Sequence, residues 1–301
     1  MIFDSPSSPQ QSTSLLATGI SGLVGSRVAT LLQDQFSFEN LDINHPTNPT
    51  DITNLDQVKA ALSVSSAQFL LHFAAFTDVT AAWNDRNNKD GLAYRVNVIG
   101  TKNIIEACQE NNIHLIHLST AYVFDGNQVN PYLETDQPNP IEWYGQTKWE
   151  AEQAIMASDA SWTILRIDQP FRPDYYQRPD VVRKIISGLK QGTLPPQFTN
   201  QFFGPTYIDD LAITIKQIIS QKQTGLFHAT NGEQWSPYEF ATLVQKIFHL
   251  NGKVDKGNLD QYLKTTNRPY QHNTALNNEK IVKALRLQPH TIMQALGEIL
   301  L

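Results

Sequence analysis

The stretch Thr18-Gly19-Ile20-Ser21-Gly22-Leu23-Val24-Gly25 constrains this chain more than any other. It lies where a short apolar run, Ser14-Leu15-Leu16-Ala17, gives way to Leu23, Val24, Val28, Leu31 and Leu32 at helical spacing. Three glycines at such a junction predict a strand, a tight turn and a helix. Gly19 permits the turn, Gly22 lets backbone approach a diphosphate, and Gly25 lets helix and strand pack closely. The helix start offers unpaired N–H groups and a positive dipole end to phosphate. Ser21, Leu23 and Val24 belong to the same loop and are expected beside a dinucleotide.

Such a site needs an acid for the adenosine ribose roughly 20 residues on. Asp42 stands at the end of a second predicted strand, Phe36–Ile43. No Lys or Arg occurs from Phe38 to Asp51, so a 2′-phosphate would meet an acid and no cation. This favours NAD over NADP. Asp51 and Ile52 open the next turn, where they contact an adenine edge or Asp51 caps a helix.

The alternation continues. Gln68–Phe73 is a continuous apolar run of strand length, the pattern of a parallel strand buried on both faces, and Ile113–Leu118 and Trp162–Ile167 read as further strands. Helical periodicity covers Thr53–Leu62, Leu92–Asn111 and Tyr144–Met156. The expectation is an α/β fold, a Rossmann-type doubly wound parallel sheet with a smaller C-terminal substrate-binding lobe. Residues 14–169 form the NAD(P)-binding domain. Residues 170–301, broken by Pro170, Pro173, Pro179, Pro195, Pro196 and Pro205, form the lobe and interleave with late strands of the sheet. Residues 1–13, rich in Ser, Pro and Gln, read as a loosely held tail.

Composition narrows the function. With 23 Lys plus Arg against 29 Asp plus Glu, the net charge of −6 argues against nucleic acid as partner. The N-terminus has neither a basic nor an apolar signal region, and the longest near-apolar stretch, Phe69–Phe76, is far shorter than the roughly 20 residues that span a bilayer. A soluble, cytoplasmic protein without membrane contact is expected. The single cysteine, Cys108, reads as a small buried hydrophobe. The histidines show no ligand spacing, so no metal is expected, and His114, His117 and Asn97 read as structural.

Tyr144 and Lys148 stand at i and i+4, on one face of a helix. A cation near a phenol lowers its pKa from about 10 and lets it trade a proton near neutrality. The run Leu118-Ser119-Thr120-Ala121-Tyr122-Val123-Phe124-Asp125-Gly126 follows the fourth strand, so a Thr120 hydroxyl there can bind the oxygen that Tyr144 protonates.

This combination resembles the extended branch of the short-chain dehydrogenase/reductase superfamily. His72–Val79, Arg95–Thr101, the Val123–Gly126 run, Asn200–Ala212 and Arg268-Pro269 narrow the likeness to the dTDP-4-dehydrorhamnose reductase family, from about residue 14 to the C-terminus. The resemblance implies NAD(P)H-dependent reduction of a nucleotide-linked 4-keto-6-deoxysugar. Tyr144 becomes the general acid, Lys148 tunes it and holds the nicotinamide ribose, and Thr120 orients the carbonyl. Ala74 and Ala75 fall beside the cofactor. Thr77, Val79, Thr120, Ala121, Tyr122, Gln201 and Thr206 fall on the substrate side. A homodimer through the helices at Leu92–Asn111 and Gly145–Met156 is also implied.

The chain departs from that family at Ala121, where an Asp is usual, and at Arg166-Ile-Asp-Gln-Pro-Phe171, which lacks the usual Trp. Ala121 leaves open a nucleotide-sugar 4-epimerase. The same departures leave open a non-catalytic NAD(P)-binding subunit, like the regulatory subunit of methionine adenosyltransferase.

Overall fold

The computed structural model describes residues 13–300. The tail expected over 1–13 therefore lies outside the described residues except for Thr13, which opens the first strand. Strands β1 (Thr13–Thr18), β2 (Phe36–Asn40), β3 (Phe69–His72), β4 (His114–Thr120) and β5 (Trp162–Ile167) fall on the five expected strand segments. Two short pairs lie outside the main sheet: β6 (Pro170–Phe171) with β8 (Thr206–Tyr207), and β7 (Gln197–Phe198) with β10 (Lys256–Gly257). Strand β9 (Gly225–His228) completes a six-stranded parallel sheet of order β2-β1-β3-β4-β5-β9.

Helices α1 (Leu23–Leu32) and α2 (Leu55–Ser63) follow β1 and β2. Helix α3 (Val79–Asn84) precedes α4 (Leu92–Tyr94), which runs through a π-helical segment, Arg95–Gly100, into α5 (Thr101–Asn111). Then come α6 (Trp143–Met156), α7 (Val181–Gln191), α8 (Ile208–Gln221), α9 (Pro237–Ile247), α10 (Leu259–Leu263), α11 (Glu279–Leu285) and α12 (Ile292–Gly297).

Pleating sends alternate residues of each strand into different cores. Leu15, Ala17, Phe69, Leu71, Ile116 and Leu165 pack with α1, α8 and α11. Leu16, Leu70, Leu115 and Ile164 pack on the other face with α2, α5 and α6. Residues beyond 170 thus supply a strand and two helices to the main sheet. They also build a separate core from Phe171, Tyr207 and Phe240 with α7, α9 and α12.

The chain passes from β1 to β2 at the sheet edge, then crosses to β3 on the other side of β1. The loops leaving β1 and β3 diverge to opposite faces, and such a switch point opens a crevice at the carboxyl ends of the strands. The second strand stops at Asn40, short of the expected Ile43. Asn40 is the last residue in register with β1, and the chain then turns, His45 N–H donating to the Asp42 carbonyl at 3.0 Å.

Candidate active site

A cavity of about 590 Å³ occupies that crevice. Gly19 has φ +68°, and a Cβ there would come within 2.5 Å of the Ala74 backbone nitrogen. Gly25 abuts the Gly19 carbonyl so closely that any Cβ would collide with it. Helix α1 starts at Gly22 with no side-chain cap, and its first internal bond is Ser26 N–H to Gly22 O. The Leu23, Val24 and Gly25 N–H groups thus have no helical partner at the cavity wall. These features fit a dinucleotide diphosphate.

Gly19, Ser21, Gly22, Leu23, Val24, Gly25, Asp42, Asp51, Ile52, Ala74, Ala75, Tyr144 and Lys148 all line this cavity. Asp42 is buried, and its carboxylate accepts the Ile20 N–H at 3.0 Å and the Ser21 N–H at 2.8 Å. It therefore holds the glycine loop as well as facing the cavity. Asp51 does not cap α2. Its Oδ1 accepts from Thr53 N–H and Oγ1, and Asn54 is the cap.

Helix α6 positions the reacting groups. Glu142 caps it, accepting the Tyr144 N–H at 2.8 Å and the Gly145 N–H at 2.5 Å. Burial pushes the Glu142 carboxyl up to about 7. Tyr144 stands edge-on to Tyr122, ring centres 5.9 Å apart, and its phenol meets the Thr120 hydroxyl. Burial raises the Tyr144 phenol, the Thr120 hydrogen bond opposes that, and the Glu142 and Asp168 carboxylates add to it. The expectation that Lys148 lowers this phenol is corrected. The ammonium turns to β4, donating to Leu118 O at 2.8 Å and to His117 Nε2 at 3.0 Å. Burial brings Lys148 down to about 8, against the Glu152 carboxylate. His117 and His72 are both buried and held neutral by desolvation.

Thr77, Val79, Thr120 and Tyr122 line the same cavity. A second cavity of about 930 Å³ adjoins it and shares Tyr122, Gln169 and Val181. Gln201 lines this second space, with Phe198, Tyr262 and Tyr270. Two expected substrate-side residues line neither. Ala121 is fully buried in a cluster with Phe124, Tyr132 and Leu276, because the turn after β4 points its methyl into the core. Thr206 is buried, its hydroxyl accepting the Asp168 N–H at 3.1 Å.

Sequence reasoning missed Asp168, Gln169, Tyr176, Arg178 and Lys184, all of which line the first cavity. The departure at Arg166–Phe171 was the available signal for the first two. Gln169 has φ +38°, and Asp168, fully buried, is pushed up to about 7 while accepting from Thr274 Oγ1 at 2.6 Å and Gly204 N–H at 3.1 Å. Among the described residues no group of three or more His, Cys, Asp or Glu side chains is set to hold a metal, and no helix is long and apolar enough to cross a membrane.

Residues 13–301 match the family described as the RmlD substrate binding domain. The chain is 30% identical over 297 residues to a dTDP-4-dehydrorhamnose reductase of Aggregatibacter actinomycetemcomitans, covering 95% of this chain and 97% of that one. It superposes with a TM-score of 0.87 on a dTDP-4-dehydrorhamnose reductase of Bacillus anthracis in complex with NADP, at 24% identity, covering 96% and 99% of the two chains. A Clostridium acetobutylicum relative of that enzyme superposes at 0.84 with 25% identity, covering 95% and 98%.

Proposed function

The chain belongs to the RmlD substrate-binding-domain family, and we propose that it is an NAD(P)H-dependent reductase of a dTDP-linked 4-keto-6-deoxysugar. The observation that carries this reading is the pair of hydroxyls, Thr120 and Tyr144, on the wall of a cavity that also holds the uncapped start of α1. The glycine loop and the Leu23–Gly25 N–H groups would hold the dinucleotide diphosphate, and Asp42 its adenosine ribose. A nicotinamide bound here would supply hydride to the sugar C4.

The chain's own residues then manage the developing charge. Thr120 donates to the keto oxygen and orients it. Tyr144, kept protonated by burial, gives its proton to the O4 alkoxide as the charge forms there. Lys148, an ammonium at neutral pH that lines the same cavity, would hold the nicotinamide ribose hydroxyls. The second cavity, with the aromatic rings of Phe198, Tyr262 and Tyr270, suits the nucleoside of the substrate. In this reading residues 14–169 hold the cofactor, 170–301 supply the substrate side, and the protein works in the cytoplasm. A homodimer through the α4–α5 and α6 helices belongs to the same reading, and sedimentation tests it.

The test is NADH and NADPH oxidation with a dTDP-4-keto-6-deoxyhexose generated in situ. Net oxidation, faster with NADH, is expected. Preference for NADPH would overturn the role given to Asp42. Turnover without net oxidation would point to an epimerase, a reading weakened by the burial of Ala121 away from both cavities. Cofactor binding with no turnover and stable capture of a partner would indicate the regulatory class.

A further inference from the structure

Between β6 and α7 the chain crosses the mouth of the first cavity as a strap, Arg172–Asp180. Its ends are locked. The buried Arg172 guanidinium donates to Leu23 O at 3.0 Å, to Ser26 Oγ at 2.7 Å and to the Asp174 carboxylate at 2.7 Å. Asp180 accepts the Arg172 N–H at 3.2 Å and caps α7 through the Arg183 N–H at 2.9 Å. The middle of the strap reaches back across the crevice. Tyr176 Oη donates to Ser21 O at 2.8 Å, and Arg178 Nη1 donates to Thr77 Oγ1 at 3.3 Å.

The charges lining this cavity divide unevenly. Asp42 and Asp180 are engaged by backbone N–H groups, Asp168 by Thr274 and Gly204, and Asp51 by Thr53. Lys148 is committed to His117 and Leu118. Arg178 and Lys184 remain as cations at the mouth. The Arg178 fork uses only Nη1 on a protein acceptor among the described residues, so its other N–H donors face open space. The same cavity is lined by Leu23, Val24 and Gly25, whose N–H groups have no helical partner. Amide donors and a guanidinium with free N–H groups on one cavity suit a group with two adjacent negative charges.

We propose that Arg178 is a diphosphate-binding residue, clamping the ligand from the strap against the start of α1. This rests on the reading of the cavity as a dinucleotide site. A diphosphate here belongs either to the dinucleotide or to the nucleotide sugar. Arg178 itself bonds Thr77, but Tyr176, two residues earlier on the strap, bonds Ser21 beside the uncapped helix, and on that contact the proposal takes the dinucleotide. Guanidinium suits the task because it binds phosphate oxygens in pairs, which an ammonium cannot do.

Calorimetric titration of the full chain with NADH and, separately, with dTDP tests this without turnover. Arg178→Ala is expected to weaken NADH about tenfold, with a smaller loss for Arg178→Lys and dTDP within twofold of wild type. Loss for dTDP alone would assign the clamp to the substrate diphosphate and overturn the dinucleotide assignment. NADH binding within twofold in Arg178→Ala, with dTDP also unchanged, would overturn the clamp altogether. Tyr175→Ala, at a strap residue 80% exposed and outside the cavity wall, is the control for strap damage. An equal loss there would mean the strap's shape matters and not the guanidinium, and would overturn the proposal. Wild-type protein that binds neither ligand would overturn the dinucleotide reading and the clamp with it, an outcome distinct from an unchanged variant ratio.

Discussion

Tyr144 is an acid made by burial. Its neighbours Glu142 and Asp168 oppose ionisation, so the phenol keeps its proton until a stronger base, the sugar alkoxide, forms beside it. Tyr144→Phe should lower kcat by about 10²-fold or more, the usual worth of a positioned acid, with little change in NADH affinity by titration. Lys148 titrates near 8 rather than near its ordinary value because its ammonium is desolvated. Its charge is lost as pH rises through 8, so kcat/KM of the wild type should fall on the alkaline side with a midpoint near there. A flat profile from pH 7 to 10 would remove Lys148 from the mechanism. Asp168 shifts the other way, from the usual carboxylate range to about 7. Between those values the folded chain holds a proton that the unfolded chain has lost, so this group's contribution falls as pH rises through that window. Asp168→Asn keeps an acceptor for Thr274 and Gly204 and removes the charge. Its urea midpoint should exceed that of wild type at pH 8, and the advantage should shrink toward pH 5.

Secondary-structure elements are tied together at the site by buried polar groups. Glu152 on α6 accepts from Arg166 Nη2 on β5 at 2.6 Å and from Ser119 Oγ on β4 at 2.5 Å, and both charged side chains are essentially inaccessible. Removing one partner strands the other charge in the core. Glu152→Leu should therefore cost about 3–5 kcal/mol in urea unfolding, and a loss below about 1 kcal/mol would mean water reaches Arg166. The helix expected over Leu92–Asn111 is interrupted by a π-helical segment at Arg95–Gly100. Asn97 in that segment pairs with both the N–H and the C=O of Phe76, and donates to Thr147 Oγ1 at 2.9 Å. It thereby joins the loop after β3 to α6. Apolar periodicity shows where such a helix runs, but a π-turn within it depends on partners in other elements.

Across the whole molecule the first cavity is lined by both halves of the chain, by Gly19, Gly22 and Asp42 from the first and by Tyr176, Arg178 and Lys184 from the second. A ligand that bridges them adds its binding free energy to folding, about 2.7 kcal/mol at a hundredfold excess over Kd. Saturating NADH should raise Tm by several degrees, and Arg178→Ala should reduce that rise more than it changes the Tm of the free protein. The first five strands, the helices that follow them, the glycine turn and the shared helix face of Tyr144 and Lys148 were legible in the amino-acid order. Each depends on local rules: apolar spacing, the room a glycine leaves, and the four-residue repeat of a helix face. The acceptors chosen by Lys148, the inward turn of Ala121 and the place of β9 at the sheet edge were not legible. Nor was the strap, whose Tyr176 meets a loop 155 residues earlier and whose Arg178 meets one 101 residues earlier. Contacts between such distant segments leave no periodic trace in either one. They arise only when the packed sheet brings the two surfaces together.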